Sequence, residues 1–177
     1  VDHPTLIATL SNLDIPAQWL KLLTSYITDR EFRVRIGNAL STNKLMRAGV
    51  LQGSRIGPYL FLVHTSGLPT PRDRNSILQT YVDDIMVGAD GNGAARRLQL
   101  NLDNIREWAS NNNISVNPRK SQAIALRKRA NPPALTWGAD RILYSNNIVY
   151  LQQWEWTSTR PSQEDLSFTD FAVKRQR

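Results

Sequence analysis

Apolar residues recur along this chain with two periods, and the switches between them mark its elements. Leu6, Ile7, Leu10 and Leu13 follow Pro4 at helical spacing, and Pro16, which holds Ile15 extended, ends that helix. Pro16 then opens a second amphipathic helix through Trp19, Leu22, Leu23, Tyr26 and Ile27. Over Phe32-Arg33-Val34-Arg35-Ile36 the period changes to two, which predicts a half-buried strand, with Gly37-Asn38 as its turn and residues 45–50 as the returning strand. Gly57-Pro58 starts an apolar helix toward Leu62, closed by Gly67 and Pro69.

Residues 77–89 predict a strand, a tight turn at Asp83-Asp84 and a second strand. After the turn-forming Asp90-Gly91-Asn92-Gly93, one side of a long helix carries Ala94, Ala95, Leu98, Leu102, Ile105 and Ala109, and Asn111-Asn112-Asn113 ends it. Short strands are predicted at 114–116 and 123–126, then a Pro132-Pro133 break, then strands at 135–137 and 148–151. The links between strands are too short for parallel crossovers. An α+β fold follows: an antiparallel sheet with helices packed on one face.

Composition narrows the chemistry. At 177 residues and 41% hydrophobic, the chain can build one compact domain or a piece of a larger one. With no Cys there is no disulfide framework, thiol nucleophile or cysteine zinc site, and His3 and His64 alone make a poor histidine cluster. The longest wholly apolar run, 59–63, is too short to cross a bilayer, and the opening residues do not read as a signal peptide. A soluble, intracellular protein is expected, with no membrane partner. Val rather than Met at position 1 leads us to expect residues upstream.

The net charge of +7 lies wholly before residue 152: residues 1–80 hold nine bases and five acids, 81–151 nine and six, and 152–177 four of each. Arg119, Lys120, Arg127, Lys128 and Arg129 meet no acid between Glu107 and Asp140. Such clusters suit a polyanion, because Lys and Arg release counterions from a phosphate backbone; a solvated strand end on a basic protein accounts for the same charge.

Three clusters carry candidate chemistry. Tyr81-Val82-Asp83-Asp84 sets two carboxylates at a hairpin tip, where hard divalent cations such as Mg²⁺ find oxygen ligands, although Asp also favours turns for conformational reasons alone. A pair of such cations serves in-line phosphoryl displacement. Ala48-Gly49-Val50-Leu51-Gln52-Gly53-Ser54-Arg55-Ile56-Gly57-Pro58 places glycines around Gln52 just before a helix start, which allows a nucleotide to approach closely or simply turns a corner. Asn117-Pro118-Arg119-Lys120-Ser121 is a turn projecting Lys120, either a solvated lysine or one able to neutralise or protonate a leaving group.

In this order, and together with Asp29-Arg30-Glu31-Phe32-Arg33-Val34-Arg35-Ile36-Gly37 and Val149-Tyr150-Leu151, these clusters resemble the reverse transcriptase of jockey-type non-LTR retrotransposons over residues 1–151. The resemblance implies a right-hand polymerase, with this chain supplying the palm and part of the fingers, and RNA-templated DNA synthesis primed from target DNA. It implies catalytic and Mg²⁺-binding roles for Asp83 and Asp84 and assistance to pyrophosphate departure from Lys120. Nucleotide or template contacts fall to Gln52, Gly53, Tyr81, Phe32, Arg33 and Arg35, and a primer grip to Tyr150 and Leu151. Implied partners are an RNA template, a DNA primer or target, dNTP, and the rest of the parent polyprotein, including an upstream endonuclease, acting in the nucleus. Leu51 stands where the family has Pro, Arg55 where it has a small apolar residue, and Gln152 where it has Gly.

Residues 152–177 show no resemblance and are read as an unmatched tail, with disorder or a frame or exon change as the readings open for it. Val1-Asp2-His3-Pro4 resembles the end of the family's first catalytic motif, whose metal-binding Asp is expected upstream, leaving Asp2 to favour the first helix dipole. On that expectation the isolated chain lacks activity. The alternative is a catalytically dead nucleic-acid-binding remnant that keeps its basic face.

Overall fold

A computed structural model describes residues 1–126, 132–150, 154–157 and 171–174. The chain forms two compact units, the first from residues 1–68 and 110–114, the second from residues 69–109 and 115–177.

The first unit opens with helices α1 (His3–Ser11) and α2 (Ala17–Ile27), continues through four short strands, β1 (Glu31–Phe32), β2 (Arg35–Ile36), β3 (Ala39–Leu40) and β4 (Lys44–Leu45), and ends with helix α3 (Gly57–Thr65). Asp2 caps α1 by accepting the Thr5 N–H at 3.0 Å, the helix-start role expected for it. These Thr5 hydrogen bonds also hold the Asp2 carboxyl below its usual pKa. Pro16 sits at the start of α2 as its fixed φ allows, and Trp19 N–H donates to the Pro16 carbonyl at 2.9 Å. Leu6, Leu10, Ile27 and Leu60 form the buried centre, so each of the three helices contributes one face to it.

The strand expected at 32–36 is not half-buried. Every residue from 31 to 45 is exposed, and the ribbon divides into two separate ladders, β1 with β4 and β2 with β3. Between the ladders, Val34 N–H donates to Ser41 Oγ and Ser41 N–H to the Val34 carbonyl, both at 2.9 Å. The returning strand stops at Leu45 instead of running to residue 50. Gly49, at φ +98°, leaves extended geometry, and Ala48 forms only a single bridge with Asp2.

His64, on α3, is 2% exposed, and neither ring nitrogen has a hydrogen-bond partner among the described residues. Burial pushes its pKa below 6.5, against a smaller opposing pull from Asp2. Because the unfolded chain binds the imidazole proton more readily, stability falls as pH drops below 6.5, while the Asp2 contribution is lost only below 3.8. Replacing His64 with Leu removes two unsatisfied nitrogens. The expected result is a gain of about 1 kcal/mol at neutral pH, and disappearance of the first acid step in urea titrations across pH, with the lower one retained.

The second unit is a sheet under one long helix. Its elements are β5 (Ser76–Tyr81), β6 (Asp84–Ala89), α4 (Ala94–Asn111), a 3₁₀ turn (Pro118–Lys120), β7 (Gln122–Ala125), β8 (Leu135–Trp137), β9 (Asp140–Tyr144), β10 (Asn147–Tyr150), β11 (Trp154–Thr157) and β12 (Phe171–Lys174). Six strands make one sheet in the order β5-β6-β12-β7-β9-β8, and β10 pairs with β11 apart from it. The α+β class stands, but the sheet is not wholly antiparallel, because β7 and β9 run parallel. The excursion through β8 supplies a connection long enough for that pairing, which a pairwise reading of short loops overlooks. No strand forms at 114–116, where Asn113 at φ +51° and the Asn117 cap of the 3₁₀ turn leave only a short linker.

Leu98, Leu102, Ile105 and Ala109 are buried at the three-and-four spacing of a helix face, as are Val87, Ile124, Leu135 and Ile142 from the strands. A cavity of about 20 Å³, room for little more than one water, remains between Leu102 and Ile105 of α4 and Ile85, Val87 and Ile142 of the sheet. Gln99 fixes the helix to β8: its Nε2 donates to the Thr136 carbonyl at 3.1 Å, and its Oε1 accepts the Thr136 N–H at 2.9 Å.

Candidate active site at the hairpin end of the sheet

The β5–β6 register pairs Tyr81 with Asp84, so the two-residue loop is Val82-Asp83, and Asp84 is the first residue of β6. The turn expected at Asp83-Asp84 is thus displaced by one residue, because Val82 takes the positive φ, +51°, that such loops demand at their first central position. Tyr81 and Val82 are 59% and 66% exposed, whereas Asp83 and Asp84 are half-buried. Directly paired residues share a sheet face, which puts the Tyr81 ring beside Asp84.

Val82 is a β-branched residue in left-handed geometry, costing about 1 kcal/mol. With no core packing at stake, Val82→Asn is expected to stabilise the hairpin by about that amount, read as a higher denaturation midpoint with an unchanged slope in urea.

Lys120 closes the 3₁₀ turn that feeds β7. Asn117 caps this turn, its Oδ1 accepting the Arg119 N–H at 3.1 Å, and the buried Ser121 hydroxyl donates to the Asn117 carbonyl at 3.1 Å. The strand registers relate this turn to the hairpin. Across β12, Lys174 pairs with Met86 on one side and Gln122 on the other, so β6 and β7 run in the same direction and enter the sheet at the same end. Asp84 is the first residue of β6, two before Met86, and Lys120 ends the 3₁₀ turn two residues before Gln122. Asp83, Asp84 and Lys120 therefore lie at one end of one sheet. At the opposite end of the hairpin, the Arg97 guanidinium donates to the Asn92 carbonyl at 2.8 Å and to the Asp90 carbonyl, and its Nε lies 3.6 Å from Asp73 Oδ1. Those links tie the loop after β6 to the first turn of α4.

The remaining candidates belong elsewhere. Phe32, Arg33 and Arg35 lie on the exposed ribbon of the first unit. Gln52 and Gly53 are exposed in the loop before α3, with Gly53 at φ +82°. That loop turns tightly: Ser54 Oγ accepts the Gly57 N–H at 2.9 Å, and a Cβ on Gly57 would lie 2.7 Å from that oxygen. Tyr150 ends β10, whereas Leu151 and the basic run Arg127-Lys128-Arg129 lie outside the described residues. Sequence reasoning passed over Glu31 and Asn43: the Asn43 amide accepts from Arg33 and donates to Glu31. The sequence offered no signal for this, because a turn at Gly37-Asn38 sets Arg33 opposite Thr42 and the register differs by one residue at β1–β4.

Among the described residues no three His, Cys, Asp or Glu side chains converge as a metal cluster. Two neighbouring carboxylates still fit Mg²⁺, which commonly takes one or two protein carboxylates and completes its shell with water and substrate phosphates.

Residues 1–159 match the family described as "Reverse transcriptase (RNA-dependent DNA polymerase)". The chain belongs to the reverse transcriptase family. This reverse transcriptase chain is 40% identical over 128 residues to a probable RNA-directed DNA polymerase from transposon BS of Drosophila melanogaster, covering 67% of this chain and 14% of that protein. It is 35% identical over 127 residues to the probable RNA-directed DNA polymerase from transposon X-element of the same organism, covering 67% of this chain and 14% of the relative. To the RNA-directed DNA polymerase from mobile element jockey, also of Drosophila melanogaster, it is 31% identical over 136 residues, 72% of this chain and 15% of the other. The chain thus spans about a seventh of the length of these relatives. No solved structure matches it. Among its described residues no helix is long and apolar enough to cross a membrane.

Proposed function

We propose that this chain is the palm and part of the fingers of a jockey-type RNA-directed DNA polymerase, which extends a DNA primer on an RNA template during retrotransposition. The observation that carries the reading is the placement of Asp83, Asp84 and Lys120 at one end of a sheet, within a chain that matches the reverse transcriptase family along most of its length.

In this reading Asp83 and Asp84 hold Mg²⁺, which when bound stabilises charge on the attacking and departing oxygens of an in-line displacement. The paired strands on either side of the turn keep both carboxylates in place, so no reorganisation is needed as charge develops. Lys120, anchored through the Asn117 cap, supplies a positive charge or a proton to the departing pyrophosphate. Tyr81, on the sheet face it shares with Asp84, offers a flat surface to the primer end or the incoming dNTP. Gln52 and Gly53 border the nucleotide and template pocket, where the bare backbone at Gly53 permits close approach. Phe32, Arg33 and Arg35 approach the template, and Tyr150 and Leu151 grip the primer. A further metal-binding Asp lies upstream in the parent polyprotein, which also carries the endonuclease and works in the nucleus.

The test is deoxynucleotide incorporation by the polymerase that includes this chain, on primed RNA with Mg²⁺ present. Extension that depends on the RNA template and stops with chelator supports the proposal. Tight, salt-sensitive binding to an RNA–DNA hybrid without any incorporation overturns it in favour of a binding module.

A further inference from the structure

The exposed ribbon carries a line of side-chain hydrogen bonds that its backbone ladders do not require. The β1–β4 ladder, Glu31 with Leu45 and Phe32 with Lys44, ends there, and Arg33 and Asn43 are the next residues on its two sides. Arg33 Nε donates to Asn43 Oδ1, and Asn43 Nδ2 donates to Glu31 Oε2 at 2.6 Å. The two terminal nitrogens of Arg33 make no hydrogen bond to protein among the described residues.

The order of these three groups has a chemical consequence. A carboxylate paired directly with an arginine takes two of its N–H groups in a fork and cancels much of its charge. Here the neutral Asn43 amide stands between them, so Arg33 surrenders only its Nε–H. The guanidinium stays charged, and its outer edge keeps the parallel donors that match a phosphate. Glu31 acts at one remove, by fixing the Asn43 amide so that its oxygen faces the arginine. On a fully exposed ribbon Arg33 would otherwise sample many rotamers and lose that freedom on binding.

We propose that Glu31 and Asn43 form a positioning relay that presents Arg33 to a backbone phosphate of the bound nucleic acid. This rests on the reading of the chain as a polymerase segment, and it adds two residues with no expected ligand contact of their own. Arg33 is the group that touches the phosphate; Asn43 and Glu31 act through it.

The experiment is equilibrium binding of this chain to a fluorescein-labelled RNA–DNA hybrid over a range of salt concentrations. Arg33→Ala is expected to weaken binding about fivefold and to reduce the salt slope by about one. Asn43→Ala, which changes no charge, is expected to weaken binding about threefold, and to have no further effect in the Arg33→Ala background. Asn43→Asp, which places a carboxylate against Arg33, is expected to weaken it more than Asn43→Ala does. A loss from Asn43→Ala that is absent, or equally large with and without Arg33, overturns the relay and leaves the polymerase reading intact. Failure of the unaltered chain to bind the hybrid overturns that reading itself.

Discussion

Replacing Asp83 with Ala in a polymerase that contains this chain is expected to lower primed-RNA extension about a thousandfold or more, equivalent to some 4 kcal/mol of lost transition-state stabilisation. The size follows from position. Asp83 occupies the second place of a two-residue loop closed by the Tyr81–Asp84 pair, and the strand pairing that begins there runs without interruption to Ala89. In the proposed role, an oxygen ligand in such a loop is set before any nucleotide arrives. Because Asp83 is half-buried at a turn and outside the core, truncation should leave the fold and hybrid affinity within about twofold, since surface substitutions alter stability little. Single-turnover extension on saturating hybrid separates the chemical step from binding. Asp14→Ala, in the exposed link between α1 and α2, serves as the control that keeps full rate. An Asp83→Ala enzyme that retains a tenth of the activity would exclude a metal-binding role for this hairpin.

Gln99→Ala is expected to cost about 2–3 kcal/mol of stability in the sheet unit. The glutamine amide behaves like a short length of strand, offering one donor and one acceptor to the exposed side of Thr136. Truncation leaves that N–H and that carbonyl, on the edge strand of the sheet, without their side-chain partners. The same amide donates to Asp103 Oδ1 at 3.1 Å, but Asp103 is substantially exposed, so Asp103→Ala should cost under about 0.5 kcal/mol. Hydrogen exchange at the Thr136 amide provides the local readout. It should quicken in Gln99→Ala and stay unchanged in Asp103→Ala.

The parts of the fold that were legible beforehand are those where one physical signal acts alone. Helix α4 follows from an apolar stripe bounded by a glycine turn and an asparagine run, and the 77–89 hairpin from two apolar segments around an acidic turn. Both are local. The parallel β7–β9 pair was hidden because its partners are chosen across the sheet, and β9 itself was missed although Gly138, at φ +63°, marks the turn before it. The ribbon misled in another way. Alternating Phe32, Val34 and Ile36 predict a buried face, yet Ile36 is 78% exposed, because period two shows only that a face exists and not that anything covers it. Asp83, Asp84 and Lys120 could be picked out by residue type and order, but their place at one end of the sheet depends on strand registers that no single segment encodes.

The first unit is not contiguous in the chain. It takes residues 1–68 and then reclaims 110–114 from the end of α4 onward, so the polypeptide passes between units three times. A protease that nicks the link at Leu68-Pro69 therefore frees neither body, which remain joined by two covalent strands of backbone. Recombination faces the same bar: a crossover at that link would pair residues 1–68 of one element with residues 110–114 of another. Elements of this kind are thereby expected to exchange the two units together and not as separate modules.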